Sequence, residues 1–208
     1  IKIGTVAKAM EGIEIKIAAD GEILIKGSNV MQGYYKNEDL SNKTIINNWL
    51  HTGDIGELDN EGFLKITDRK KEIFKTSGGK YIAPAVLESK LKESRFIEQV
   101  MVIGEGEKMP AAIIQPHFEF LIEWAKRKEL NTDHSFKSLI NNEKVFKRIQ
   151  KEIDKTNTSF GNWEQIKSFE LTDEVWSIEN GLLTPTMKIK RQAIKEKYKN
   201  LYKRIYNK

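Results

Sequence analysis

The stretch IEIKIAADGEILIKG, from Ile13 to Gly27, constrains the fold most strongly. Ile13, Ile15 and Ile17 alternate with charged residues, Asp20-Gly21 supplies a two-residue turn signal, and Ile23 and Ile25 resume the alternation. Period two places successive side chains on opposite faces, so this pattern predicts a β-hairpin with one apolar face. IGELDNEGFLKIT predicts a second hairpin, turning at Asn60-Glu61-Gly62. The segment between them, NVMQGYYKNEDLSNKTIINNWLHTGD, reads as a loop-rich return with a short helix near Asp39–Ile46. KKEIFKTSG reads as a short strand that ends in a glycine pair.

The texture changes near Asp68. Strands dominate before it; helices and strands mix after it. Pro84 suits the first turn of a helix, APAVLESKLKES, with Val86, Leu87 and Leu91 as its stripe. IEQVMVIGEG and PAAIIQP read as two strands joined by a turn, and IKSFELT as a third. FEFLIEWAKRKEL and EKVFKRIQKEIDKT carry apolar residues at three- and four-residue steps, as amphipathic helices do. A terminal helix is predicted to present Ile189, Ile194, Tyr198, Leu201 and Ile205 on one face. The expected boundary is Asp68–Arg69, dividing the chain into an all-β piece, 1–68, and a small α+β domain, 69–208.

Composition narrows the chemistry. The 208 residues include no cysteine, which excludes disulfides, thiolate zinc sites and a cysteine nucleophile. His51, His117 and His134 show no metal-ligand spacing. No apolar run approaches the ~20 residues a membrane-spanning helix needs. The opening, IKIGTVAKAM, has no long apolar stretch and no initiator Met, and reads as the start of a fragment or a processed product. The net charge of +5 is uneven: Thr186 to Lys208 carries +8, leaving −3 elsewhere.

Polar clusters fall between the predicted strands of WLHTGDIGELDNEGFLKITDRKKEIFKTSGGKYIAP, the arrangement of a ligand site built from loop tips. Asp54, after Thr-Gly, could accept both hydroxyls of a ribose diol, or simply serve a turn. Arg69 could bind phosphate through paired hydrogen bonds, or be a surface arginine in a charged turn. TSGGKY is not a phosphate-binding loop of the Gly-x4-Gly-Lys-Ser/Thr type, although Ser77-Gly78-Gly79 could let backbone approach a ligand. The Gly-Glu-Gly at 104–106 reads as a turn. Lys188, in GLLTPTMKIKR, could reach an acyl phosphate or pyrophosphate, or be one more lysine in a basic helix.

Taken together, GEILIKGSNVMQGYYKNED, the Trp49–Pro84 segment and NGLLTPTMKIKRQAIKEKY resemble the C-terminal portion of the adenylate-forming superfamily, in its long-chain acyl-CoA synthetase branch. The resemblance covers nearly the whole chain. It implies an α+β chain: the terminal β-hairpins of a large AMP-binding domain (1–68, truncated), then a mobile C-terminal lid with a short sheet flanked by helices (69–208). It implies a cytoplasmic acid–thiol ligase that activates a fatty acid with ATP to an acyl-adenylate and then transfers the acyl group to coenzyme A. Mg2+ would be held mainly by residues upstream of this chain.

Residue by residue, the resemblance gives Asp54 the ribose hydroxyls, Arg69 the ribose or phosphate, and Lys188 the charge that develops during adenylation. Asp68 and Lys71 would form the hinge. Lys75, Ser77, Gly78, Gly79 and Lys80 would face the nucleotide and the pantetheine tunnel in the CoA-transfer conformation. Many family members have Gly-Arg and a hinge Asp where this chain has Asp68-Arg69 and Lys71, and Gly-Lys where it has Met187-Lys188. A two-residue slip would put Lys190 in place of Lys188. The superfamily's phosphate loop and Tyr-Gly-x-Thr-Glu motif are missing, so the chain is expected to be inactive alone.

Rival readings are another adenylate-former (an aryl-CoA ligase, a luciferase-like enzyme or a peptide-synthetase domain) and a nucleic-acid module using the basic helix. The second lacks a recognised motif, so no nucleic acid is expected. Peripheral contact of that helix with a membrane stays open, although its apolar face is narrow and better suited to packing.

Overall fold

The computed structural model describes residues 2–70 and 72–207, in two compact units, 1–73 and 74–208. The hinge residue Lys71 lies outside the described residues.

The first unit is an antiparallel sheet. Its strands are β1 (Ala7–Lys8), β2 (Ile13–Ile17), β3 (Glu22–Gly27), β4 (Ile45–Ile46), β5 (Trp49–Leu58) and β6 (Phe63–Arg69). Five of them run in the order β1-β6-β5-β3-β2, and β4 also pairs with β5. The first hairpin forms as the alternation predicts, with Ile13 opposite Gly27 and Ile17 opposite Ile23. The second closes where expected: the Gly62 amide donates to Asp59 O at 2.9 Å. A short helix, α1 (Glu38–Thr44), starts at Asn37, whose side chain accepts from the Leu40 amide. Gly56 lets the strands close up, because a Cβ there would meet Lys65 O at 2.5 Å and Ile23 Cδ1 at 2.7 Å.

The second unit stacks three layers. Its sheet has β9 (Ile97–Ile103), β10 (Ala111–Pro116) and β11 (Ser168–Leu171), in the order β11-β10-β9, with β10 and β11 parallel. Val100, Val102, Ala112 and Ile114 face α2 (Pro84–Leu91), α3 (Phe118–Arg127) and α5 (Glu143–Asn157), whose Leu87, Leu121 and Ile149 are fully buried. Met101, Ile103, Ala111 and Ile113 face α6 (Arg191–Lys197) and α7 (Lys199–Tyr206), with Trp176, Leu183 and Ile194. A sheet covered on both faces needs apolar residues at most positions, which is why β9 and β10 read as runs rather than alternations. The remaining elements are a two-stranded ribbon, β7 (Phe74–Lys75) with β8 (Tyr81–Ile82), and the short α4 (Phe136–Ile140).

The predicted single terminal helix is two. Tyr198 leaves helical geometry (φ −100°, ψ 29°), and Ile189 precedes the helix, bridged to Leu183. Tyr198 is held there by its hydroxyl, which accepts from Trp176 Nε1 at 3.1 Å and donates to Glu174 at 3.1 Å. Burial, then the nearby Glu174 charge, pushes that phenol well above its ordinary value. Part of the basic tail is answered within the chain. Arg191 pairs with Glu88, Lys197 with Glu174, Arg204 with Glu170 and, at 4.0 Å, Lys195 with Glu105.

Candidate functional site

Asp54 is not on a loop tip. It lies within β5, directly opposite Arg69 on β6, and the register shifts between Ile55 and Gly56. Thr-Gly-Asp gives a turn signal because Gly53 adopts φ +73°, a left-handed conformation that costs glycine little. Here that conformation kinks a strand, as bulges do. Arg69 Nε donates to Asp54 Oδ1 at 2.9 Å, and the Asp54 side chain is about a quarter exposed. Asp68, the next residue back, is buried, and its Oδ1 accepts the Arg69 amide at 2.6 Å.

Beneath this pair lies a group the sequence did not single out. Glu22, only 4% exposed, accepts the Gly53 amide at 2.9 Å through Oε1. Its Oε2 meets Lys70 Nζ and His51 Nδ1, each at 2.9 Å. Lys70 Nζ also meets Asp20 Oδ2 at 2.6 Å, and the Lys70 amide donates to Gly53 O at 2.8 Å. Burial alone would raise the Glu22 carboxyl; Lys70, His51 and the Gly53 amide together hold it below its ordinary value. Asp20, then Glu22, raise the Lys70 ammonium.

The candidate residues of the second unit occupy two separately bonded loops. Thr76 anchors the first: its amide donates to Lys80 O at 2.9 Å, and its carbonyl accepts the Gly79 amide at 2.9 Å. Ser77 N donates to Glu107 O at 2.8 Å, and Gly106 N to Lys75 O at 2.9 Å, so the loop is pinned at its base. Lys75, Ser77, Gly78, Gly79 and Lys80 are exposed; Lys75 Nζ lies over the Tyr81 ring and Lys80 Nζ over Trp163.

The second loop presents Lys188 at a tight turn. Its amide donates to Thr184 Oγ1 at 3.1 Å, and its carbonyl accepts the Thr184 amide at 2.8 Å. Met187 takes φ +60°, a conformation usually left to glycine. Both Lys188 and Lys190 are exposed. The loop runs directly into Arg191, whose guanidinium grips Glu88 at 2.8 and 2.7 Å.

Among the described residues there is no group of three or more His, Asp or Glu that could hold a metal ion. The histidines serve structure: His51 contacts Glu22, His117 caps α3 by accepting the Phe120 amide, and His134 meets Thr132. No described helix is long and apolar enough to cross a membrane.

This α+β arrangement is that of the adenylate-forming enzymes. It superposes on the adenylation domain of a carboxylate reductase from Mycobacterium chelonae with a TM-score of 0.76 at 20% identity, covering 94% of this chain and 31% of that one. O-succinylbenzoate coenzyme A synthetase from Bacillus subtilis, solved with AMP, matches with a TM-score of 0.64 at 26% identity, over 92% of this chain and 35% of that one. The chain belongs to the AMP-binding enzyme C-terminal domain family, whose model matches residues 71–208. It is 37% identical over all 208 residues to a long-chain-fatty-acid–CoA ligase, FadD15, of Mycobacterium tuberculosis, covering 35% of that protein. It is 39% identical over 192 residues, 90% of the chain, to human long-chain-fatty-acid–CoA ligase 1, covering 27% of it. The chain thus spans about a third of the length of these relatives.

Proposed function

We propose that this chain is the C-terminal portion of a long-chain fatty acid–CoA ligase and is inactive without the remainder. In the first half-reaction a fatty acid carboxylate oxygen attacks the α-phosphorus of ATP. The bond from that phosphorus to the bridging oxygen breaks, and pyrophosphate leaves with the electron pair. In the second, the CoA sulfur attacks the acyl carbon, its proton is lost, and AMP departs with the carbon–oxygen bonding pair.

The observation that carries this reading is the Asp54–Arg69 pair. Asp54 Oδ1 takes the Arg69 Nε–H, and a carboxylate has about four acceptor sites on its two oxygens. Acceptor capacity therefore remains for a ribose diol, while the guanidinium can also reach phosphate. Lys188, exposed on a rigid turn, supplies positive charge to the carboxylate and α-phosphate as they react. Lys75, Ser77, Gly78, Gly79 and Lys80 serve the CoA-transfer step.

Two reactions with different transition states need different donors. The segment Asp68–Lys71 is the hinge about which the lid, 69–208, exchanges the Lys188 turn for the Thr76–Lys80 loop. Supporting the larger assembly, the first unit buries few large apolar side chains: Ile23, Leu24 and Leu64 are buried, whereas Ile46, Leu58 and Ile66 are exposed. Membership of the long-chain branch rests on the 37–39% identity to fatty-acid ligases, against 26% to the succinylbenzoate enzyme.

The test is fatty-acid-dependent ATP–pyrophosphate exchange in the full-length enzyme. Lys188→Ala is expected to lower exchange by about 10²-fold or more, the scale on which losing one charge-stabilising donor acts. Exchange unaffected by Lys188→Ala but lost in Lys190→Ala would move the role two residues on. Exchange with aryl acids and none with fatty acids would favour the aryl-CoA ligases.

A further inference from the structure

We propose that Glu22 is a positioning residue that fixes the ribose-binding strand and anchors the immobile end of the hinge. This rests on the reading of Asp54 given above.

Gly53, immediately before Asp54, has both its backbone polar groups committed. Its N–H goes to Glu22 Oε1 at 2.9 Å, and its C=O accepts the Lys70 amide at 2.8 Å. Thr52 extends the clamp, donating to Ile23 O at 2.8 Å and accepting the Asp54 amide at 3.1 Å. Glycine at φ +73° is the most pliable point of the strand, so without these bonds the Asp54 carboxylate would wander. A carboxylate held to hydrogen-bonding geometry with a diol has to be fixed by its supports.

The same carboxylate holds Lys70, the residue just before Lys71. Glu22 and Asp20 grip the Lys70 ammonium at 2.9 and 2.6 Å. The chain is therefore tethered to the hairpin turn at the place where rotation of the following residues would otherwise pull on β6. Glu22 joins two tasks that sequence separates: a defined ribose acceptor and a fixed pivot. His51, on the remaining side of Oε2, completes the clamp.

The experiment compares kcat/KM for ATP with that for 2′,3′-dideoxy-ATP in the fatty-acid-dependent adenylation step of the full-length enzyme. A hydrogen bond to a charged acceptor gives about a tenfold preference or more, so wild type should favour ATP by at least that factor. Asp54→Ala should abolish the preference. Glu22→Gln, isosteric but uncharged, keeps an acceptor for the Gly53 amide yet loses its pairing with Lys70 and His51, so it should lower the preference as well, without changing KM for the fatty acid. A purely structural role would lower the melting temperature and leave this ratio intact below it.

Loss of the preference in Asp54→Ala together with its retention in Glu22→Gln overturns the role of Glu22 alone. Retention in Asp54→Ala removes the ribose reading and this proposal with it. Should Glu22→Gln fail to fold, Lys70→Gln decides: a partial loss of the preference supports the clamp, and an unchanged ratio refutes it.

Discussion

Replacing Arg191 by Met should unfasten the Lys188 turn from the body of its unit. The Arg191 guanidinium donates to both Glu88 oxygens, at 2.8 and 2.7 Å, with side-chain exposures of 25% and 11%. Glu88 has a second task. Its Oε1 accepts the Val102 amide at 2.7 Å, on β9, an edge strand of the three-stranded sheet. The Met variant keeps the apolar stem but leaves the carboxylate charge in a buried setting. Breaking one partner of a buried pair costs about 3–5 kcal/mol. Arg191 is a quarter exposed, so the lower end, about 3 kcal/mol, applies. With a urea slope of about 2 kcal/mol/M, the midpoint should fall by about 1.5 M. Tryptophan emission would follow it, since Trp176 is buried beneath α6 and α7. Adding Glu88→Gln to Arg191→Met removes that buried charge and keeps an acceptor for Val102. The double variant should therefore recover most of the loss. A single-variant loss under about 1 kcal/mol, or a double variant no better than the single, would refute this account.

Two further outcomes follow from local geometry. Met187→Gly should stabilise the chain by about 0.5 kcal/mol in urea unfolding: relief of a left-handed L-residue exceeds the entropy glycine adds to the unfolded chain. A net loss would mean that the half-exposed Met187 side chain packs more than its exposure implies. Acid should loosen the first unit through Glu22. Its carboxyl is held below the ordinary glutamate value of 4.5, so the unfolded chain binds more protons. The stabilisation is complete above that value and is lost as pH falls below it. Unfolding of wild type and Glu22→Gln between pH 6 and 3 should show a steeper acid loss in wild type, and parallel curves would contradict the assignment.

Much of the fold was legible because burial imposes simple periods. One half-buried face made β2 alternate, and two buried faces made β9 and β10 nearly continuous. The break at Tyr198 was hidden because the apolar spacing carries on through a one-residue interruption. The short α4 has only one buried residue, Leu139, too little pattern to read. At the site, the strand placement of Asp54 was masked by Gly53, which gives a turn signal while sitting within a ladder. Glu22 was invisible for another reason. It looks like an ordinary charged residue after a turn, and its partners His51 and Lys70 stand 29 and 48 positions away. No local window holds such a group.

The parallel pairing of β10 with β11 sets the order in which the chain can acquire structure. The two hairpins of the first unit close between neighbouring segments, and β9 and β10 also meet across a short turn. Ala111 must instead wait for Ser168, with α3, α4 and α5 made in between. Long-range contacts repay their loop-closure entropy late, and they slow folding. During synthesis, the edge of β10 therefore stays open until those helices and β11 have emerged. Ala111, Ile113 and their neighbours form an apolar edge for that interval, when pairing with another chain is the main hazard.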